Sequence, residues 1–99
     1  MTKFSKDKRD QNEPLIVEVI KNYHVEFGYG GLGDGYDLVL YTAPMMLIEV
    51  KNPARKWKLT PAETHRHDYC RERGIPYHVI TYSDQMADIL SAHFSGNGR

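Results

Sequence analysis

The chain has 99 residues, 40% of them hydrophobic and 26% charged, and its 13 Lys and Arg balance 13 Asp and Glu to a formal net charge of +0. A chain of this size builds one small domain with a modest core, so a large active-site cavity would have to borrow surface from a partner, and a homo-oligomer is open from the start. Neutrality excludes a protein that grips nucleic acid over its whole surface, but it leaves local basic clusters at Lys3, Lys6, Lys8 and Arg9, at Lys51, Arg55, Lys56 and Lys58, and at Arg66, Arg71 and Arg73.

Residues 1–11 are polar and mixed in charge, as expected of a flexible arm and not of a signal peptide. Asn12 is then placed to cap a helix with Glu13 and Pro14 in its first turn, and Leu15, Ile16, Val19, Ile20 and Tyr23 recur at helical spacing up to Tyr23 or His24. A short strand is expected over 25–27. Gly28, Gly30, Gly31, Gly33 and Gly35 follow as a loop. It lacks the Lys-Ser/Thr of a phosphate-binding loop and leads into no helix, so no nucleotide cofactor is expected. Its glycines suit close backbone approach or a flexible surface facing DNA.

Residues 36–41 and 45–51 read as a hairpin turning through Thr42, Ala43 and Pro44. Leu38, Leu40, Met46, Ile48 and Val50 fall on one face, and Val39, Tyr41, Met45 and Leu47 on the other, as expected for strands covered by helices on both sides. The apolar run over 38–50 is interrupted by Thr42, Pro44 and Glu49, and falls short of the roughly 18 residues a membrane span requires. A basic loop over 52–59 precedes Thr60-Pro61-Ala62-Glu63, which combines an N-cap, a proline in the first turn and a capping-box glutamate. That helix should run to Arg73 and stop at Gly74. A strand over 77–82 and a last helix over 84–93, capped by Ser83, complete the fold, with 95–99 fraying. The long helix between two strands implies a right-handed crossover. The expected architecture is therefore a single α/β domain over 12–94, with a mixed central sheet flanked by helices.

Three residues carry the sharpest chemistry. A turn centred on Ala43 puts Asp37 opposite Glu49 on one face of the hairpin, with Lys51 two residues further along that face. Two carboxylates at the end of otherwise apolar strands repel each other unless a cation lies between them. Hard oxygen donors of this kind select Mg²⁺ or Mn²⁺, with the Val50 carbonyl as a further donor. Lys51 would orient or deprotonate an attacking water and offset charge on the phosphate, which is phosphodiester hydrolysis in outline. The plain alternative is a cross-strand ion pair.

Asn12-Glu13, the glycine-rich approach to Asp37, Leu47-Ile48-Glu49-Val50-Lys51 and Leu59-Thr60-Pro61-Ala62-Glu63 together resemble the virus-type replication-repair nuclease (VRR-NUC) domain of the PD-(D/E)xK nucleases, over residues 9–90. The resemblance implies a restriction-endonuclease-like core and a metal-dependent DNA endonuclease acting on branched DNA such as Holliday junctions or flaps, often as a homodimer. It also implies that Glu13 reaches the metal site from the first helix. Two positions depart from the family pattern: Tyr36 stands where proline is usual, and Glu63 where glutamine is usual. Glu63 is thus either a further carboxylate of the site or simply the capping-box partner of Thr60.

Arg55, Lys56 and Lys58 follow the site directly and are assigned to phosphate contact. Trp57 among them could stack on a base or pack at a dimer interface. His65, His67 and Cys70 do not make a structural zinc site, because positions two apart on a helix face nearly opposite ways and no second Cys/His cluster exists. They are assigned to the surface or rim. Cys70 is the single cysteine, which excludes an internal disulfide and suits a reducing, cytoplasmic setting. A non-enzymatic DNA-binding module with the same fold is the alternative function.

Overall fold

In the computed structural model of the protein, which describes residues 12–97, the first helix is amphipathic and its termini are set by specific contacts. Helix α1 (Glu13–Asn22) buries Ile16, Val17 and Ile20. It ends where His24 takes a left-handed conformation, φ 59°. His24 N–H then bonds the Lys21 carbonyl and Val25 N–H the Ile20 carbonyl, which satisfies the last carbonyls and folds Val25 back onto the core. The basic arm expected over 1–11, with Lys3, Lys6, Lys8 and Arg9, lies outside the described residues.

Strands β1 (Phe27–Tyr29), β2 (Leu38–Leu40) and β3 (Met46–Val50) form an antiparallel meander. Helix α2 (Pro61–Arg73) then carries the chain to β4 (Tyr77–Ile80), parallel to β3, and α3 (Ser83–Asn97) closes the described part. The result is an α/β fold with an open, mixed, four-stranded sheet in the order β1-β2-β3-β4 and, among the described residues, three helices.

The hairpin register is the one expected, with Leu38 opposite Ile48 and Leu40 opposite Met46. Alternation along the strands then divides the core. Leu38, Leu40, Met46, Ile48, Val50 and Ile80 pack against Ile16, Val17 and Ile20 of α1 and Met86 and Leu90 of α3. On the other face Val39 and Leu47 pack against Cys70 of α2, with Tyr36, Ile75 and Tyr77 at the margin. Cys70 therefore belongs to the core, 1% exposed, and not to the surface or rim.

β2 and β3 are shorter than the 36–41 and 45–51 expected and α3 begins at Ser83 itself, and further differences have local reasons. Asn12 makes no side-chain cap on α1, because its amide is used elsewhere. β1 starts at Phe27, two residues late, since Val25 is held in the core by the helix exit. β4 stops at Ile80 because Gln85 Oε1 accepts the N–H of Thr81 and of Tyr82. Finally, α3 continues to Asn97 instead of fraying from 95, with Phe94 stacked on Tyr23, the residue that follows α1. No described helix is long and apolar enough to cross a membrane.

Candidate active site

At the C-terminal end of β3 the sheet face covered by α2 changes from apolar to charged. Asp37 lies one residue before β2, and its backbone is held on two sides: its N–H donates to the Ile48 carbonyl at 2.9 Å and its carbonyl accepts from Gly30 N–H at 2.8 Å. With the backbone fixed, the carboxylate reaches across the hairpin and Oδ2 accepts the Val50 N–H at 2.7 Å. This bond continues the strand ladder with a side chain past the end of β2. In a strand the N–H and C=O of one residue point the same way, so the Val50 carbonyl also faces the Asp37 side.

Glu49 projects onto the same face and is buried, 4% exposed. Lys51 follows on that face, with Nζ 3.4 Å from Glu49 Oε2 and 2.8 Å from Glu63 Oε1. Glu63 itself is fixed by the start of α2. Thr60 Oγ1 accepts its N–H at 3.2 Å while Glu63 Oε1 accepts the Thr60 N–H at 2.9 Å, a complete capping box. One carboxylate oxygen thus serves both the helix cap and the Lys51 ammonium. The capping-box role expected from the sequence is present, and the same oxygen also contacts Lys51.

The electrostatics follow from this crowding. Burial, reinforced by the charge of Asp37 and by the hydrogen bond and charge of Glu63, pushes the Glu49 carboxyl up to about 9 despite the nearby Lys51. For Lys51, burial opposes the charged form, but the Glu63 and Glu49 contacts outweigh it and the ammonium is held above its ordinary range. For Glu63, burial is likewise overridden, here by the bonds from Lys51 and the Thr60 backbone, and its carboxyl is lowered. Burial and the neighbouring carboxylates thus favour the protonated form of Glu49 when no further cation is present.

Glu13 comes from the opposite layer. Asn12 Nδ2 donates to the Lys51 carbonyl at 3.2 Å and to the Thr81 carbonyl, so α1 begins against the ends of β3 and β4 with Glu13 buried beside them. Asp37, Glu63 and Lys51 are charges that act on Glu49. Arg55, Lys56 and Lys58 are exposed in the loop between β3 and α2, outside this cluster.

Two residues of the neighbourhood were missed by sequence reasoning. Asn12 read as a helix cap but ties α1 to the site strand. Tyr77 read as part of a strand, yet in the parallel register it stands beside Leu47 on the charged face. Its hydroxyl donates to the Gly35 carbonyl at 2.6 Å, and burial together with the charges of Glu49, Glu63 and Asp37 raises its pKa. Strand parity on β4 was the available signal, but it could be used only once the β3–β4 register was known. The glycine loop serves close approach: a Cβ on Gly35, φ +84°, would meet the Ala62 carbonyl at 2.5 Å and Arg66 Cβ at 2.8 Å.

Among the described residues, no three Asp, Glu, His or Cys side chains already converge as a ligand set for a metal. Lys51 lies between Glu49 and Glu63, and Asp37 spends one oxygen on Val50. The donors themselves are nevertheless hard oxygens of the kind Mg²⁺ and Mn²⁺ take, namely the Asp37 and Glu49 carboxylates and the Val50 carbonyl. The raised Glu49 carboxyl also marks a point where added positive charge would be favourable. Comparison with families of proteins, with characterised proteins and with solved structures finds no match to this chain.

Proposed function

We propose that the protein is a Mg²⁺- or Mn²⁺-dependent DNA endonuclease with a restriction-endonuclease-like core of the VRR-NUC type, acting on branched DNA such as a four-way junction or flap. The observation that carries the reading is the pairing of Asp37 and Glu49 across the hairpin end, with Lys51 beside them on the same face. Asp37, Glu49 and the Val50 carbonyl would hold the ion, with Glu13 in support from α1. When bound, such an ion activates water and neutralises charge on the phosphate.

The chain's own groups have separable tasks. Asp37 fixes the hairpin end through Val50 N–H. Lys51, kept as the ammonium by Glu63 and Glu49, acts as a hydrogen-bond donor to the attacking water or to a phosphate oxygen and not as a base. Glu63 holds Lys51 at that position from the first turn of α2. Arg55, Lys56 and Lys58 contact the DNA backbone. Cutting a four-way junction symmetrically takes two sites, which a two-fold homodimer would supply.

A nucleic-acid-binding module without catalysis is the competing reading, favoured by the placement of Lys51, which already serves both Glu49 and Glu63. Labelled junction, flap and linear duplex DNA incubated with Mg²⁺, Mn²⁺ or EDTA separates the two. The expected outcome is metal-dependent cleavage of branched DNA that falls by roughly 100-fold or more in Glu49→Ala and Lys51→Ala, with folding intact. Binding with no cleavage of any substrate would establish the competing reading.

A further inference from the structure

The loop between β3 and α2 is closed at its base by the Lys51–Glu63 contact at 2.8 Å, so the segment leaves the charged cluster and returns to it. Near its start, Asn52 Oδ1 accepts the Ala54 N–H and the Asn52 carbonyl accepts the Arg55 N–H, which makes a tight turn. Beyond that turn stand Arg55, Lys56, Trp57 and Lys58, all exposed. Among the described residues none of the three cations is in an ion pair. Trp57 is 47% exposed and joins neither core cluster. An indole left half in water gains little from packing, yet here it is flanked on both sides by uncompensated positive charge.

We infer that this loop binds single-stranded nucleic acid, with Trp57 stacking on an unpaired base and Arg55, Lys56 and Lys58 contacting the adjacent phosphates. The inference rests on the nuclease reading for its biological sense, and it deepens that reading by naming the feature of branched DNA that is recognised. The chemistry selects single strands for a simple reason. Duplex bases have both faces covered by their neighbours and offer the loop only phosphates, whereas an unpaired base offers a free π-face as well. Trp57 is six residues from Lys51 and six from Glu63. Whatever path the loop takes, chain reach holds the Trp57 Cα within about 20 Å of those of Lys51 and Glu63, so a nucleotide stacked on its indole is tethered near the cutting position. A flap would be favoured over a fully paired four-way junction because it exposes unpaired nucleotides beside a duplex.

Trp57 is the only tryptophan in the chain, so its fluorescence reports on this contact alone. The full-length protein in EDTA is titrated with an oligothymidine single strand, with a duplex of equal length and with anionic phospholipid vesicles. The expected result is strong quenching by the single strand and weak quenching by the duplex. Read by the anisotropy of end-labelled oligonucleotides, since the variant has no tryptophan, Trp57→Ala should lower single-strand affinity roughly 5- to 100-fold and leave duplex affinity nearly unchanged. Replacing Arg55, Lys56 and Lys58 with Ala should reduce the logarithmic salt slope by about 2.

Equal quenching by duplex, or single-strand affinity unchanged in Trp57→Ala, overturns the stacking role. An emission shift with vesicles and none with the oligonucleotide overturns it in favour of a membrane surface. A shift that depends on protein concentration, with no response to nucleic acid, overturns it in favour of a dimer contact. Because EDTA removes divalent ions, none of these outcomes depends on cleavage. The nuclease reading stands or falls separately on Glu49→Ala with added metal.

Discussion

Glu63 Oε1 illustrates how much one atom can be asked to do. It accepts the Thr60 N–H that would otherwise be an orphan of the helix start, and it accepts a hydrogen from Lys51 Nζ. The two functions separate by mutation. Thr60→Ala removes the hydroxyl side of the capping box and should cost about 1 kcal/mol, within a range of roughly 0.5–2, which lowers the melting temperature by about 4–8 °C in a domain of this size. The Lys51 contact remains, so cleavage should be retained. Glu63→Ala should show a similar loss of stability together with a loss of cleavage of about tenfold or more, because Lys51 loses its strongest acceptor. Parallel melts and cleavage assays check both; equal activities in the two variants would reduce Glu63 to a cap. The capping box was legible as a four-residue pattern, since it is local. The Lys51 contact was not, because it joins residues on two elements whose relative placement only packing decides.

At the scale of elements, the glycine-rich loop is a spacer that lets β2 start close to α2. Arg66 Nε donates to the Asp34 carbonyl and Tyr77 Oη to the Gly35 carbonyl, so helix and strand side chains both hold the loop backbone. Gly33 and Gly35 share a positive φ, but their surroundings differ. Gly33 has open space around a Cβ, so Gly33→Ala should cost only the left-handed backbone term, about 1–2 kcal/mol. Gly35→Ala meets the α2 backbone as well and should cost more, upwards of about 3 kcal/mol, with cleavage lost because Asp37 moves with the loop. Urea unfolding of the two variants tests the ordering, and equal costs would mean that the loop can shift freely away from α2. The glycine cluster announced a loop. Which glycine is pressed against the helix was decided by how α2 crosses the sheet.

For the whole molecule, the buried carboxyl of Glu49 sets a pH dependence. In the unfolded chain it ionises near its ordinary value of 4.5, and in the metal-free native protein only at about 9. Between these limits the native state holds a proton that the unfolded state has released, so stability falls as pH rises through this window and levels off on either side. The lowered Glu63 carboxyl acts in the opposite sense, and only below 4.5. Glu49→Gln removes the ionisation and keeps an N–H to offer Glu63. It should therefore raise the melting temperature at pH 8 by about 4 °C or more, with the gain shrinking towards pH 4. Thermal melts across that range in EDTA test this, and a lower melting temperature for the variant at pH 8 would mean that Lys51 compensates the charge fully.

The short-range features of this protein were set by its sequence alone. Strand alternation divided Leu38, Leu40, Met46, Ile48 and Val50 from Val39 and Leu47 as observed, and the hairpin register followed from the turn at Ala43. Thr60-Pro61 and Gly74 bounded α2 as read, because caps and stops act within a few residues. Asp37, Glu49 and Lys51 could be brought to one face because a hairpin couples residues through a single turn. Tertiary structure decided the rest. It turned Asn12 from a cap into a tie between α1 and the ends of two strands, put Cys70 in the core, added Tyr77 to the charged face, and gave Glu63 to Lys51. Each of these joins elements separated by a crossover or by the sheet itself. Their meeting depends on which faces pack together and at what height, and no local pattern in the chain encodes that.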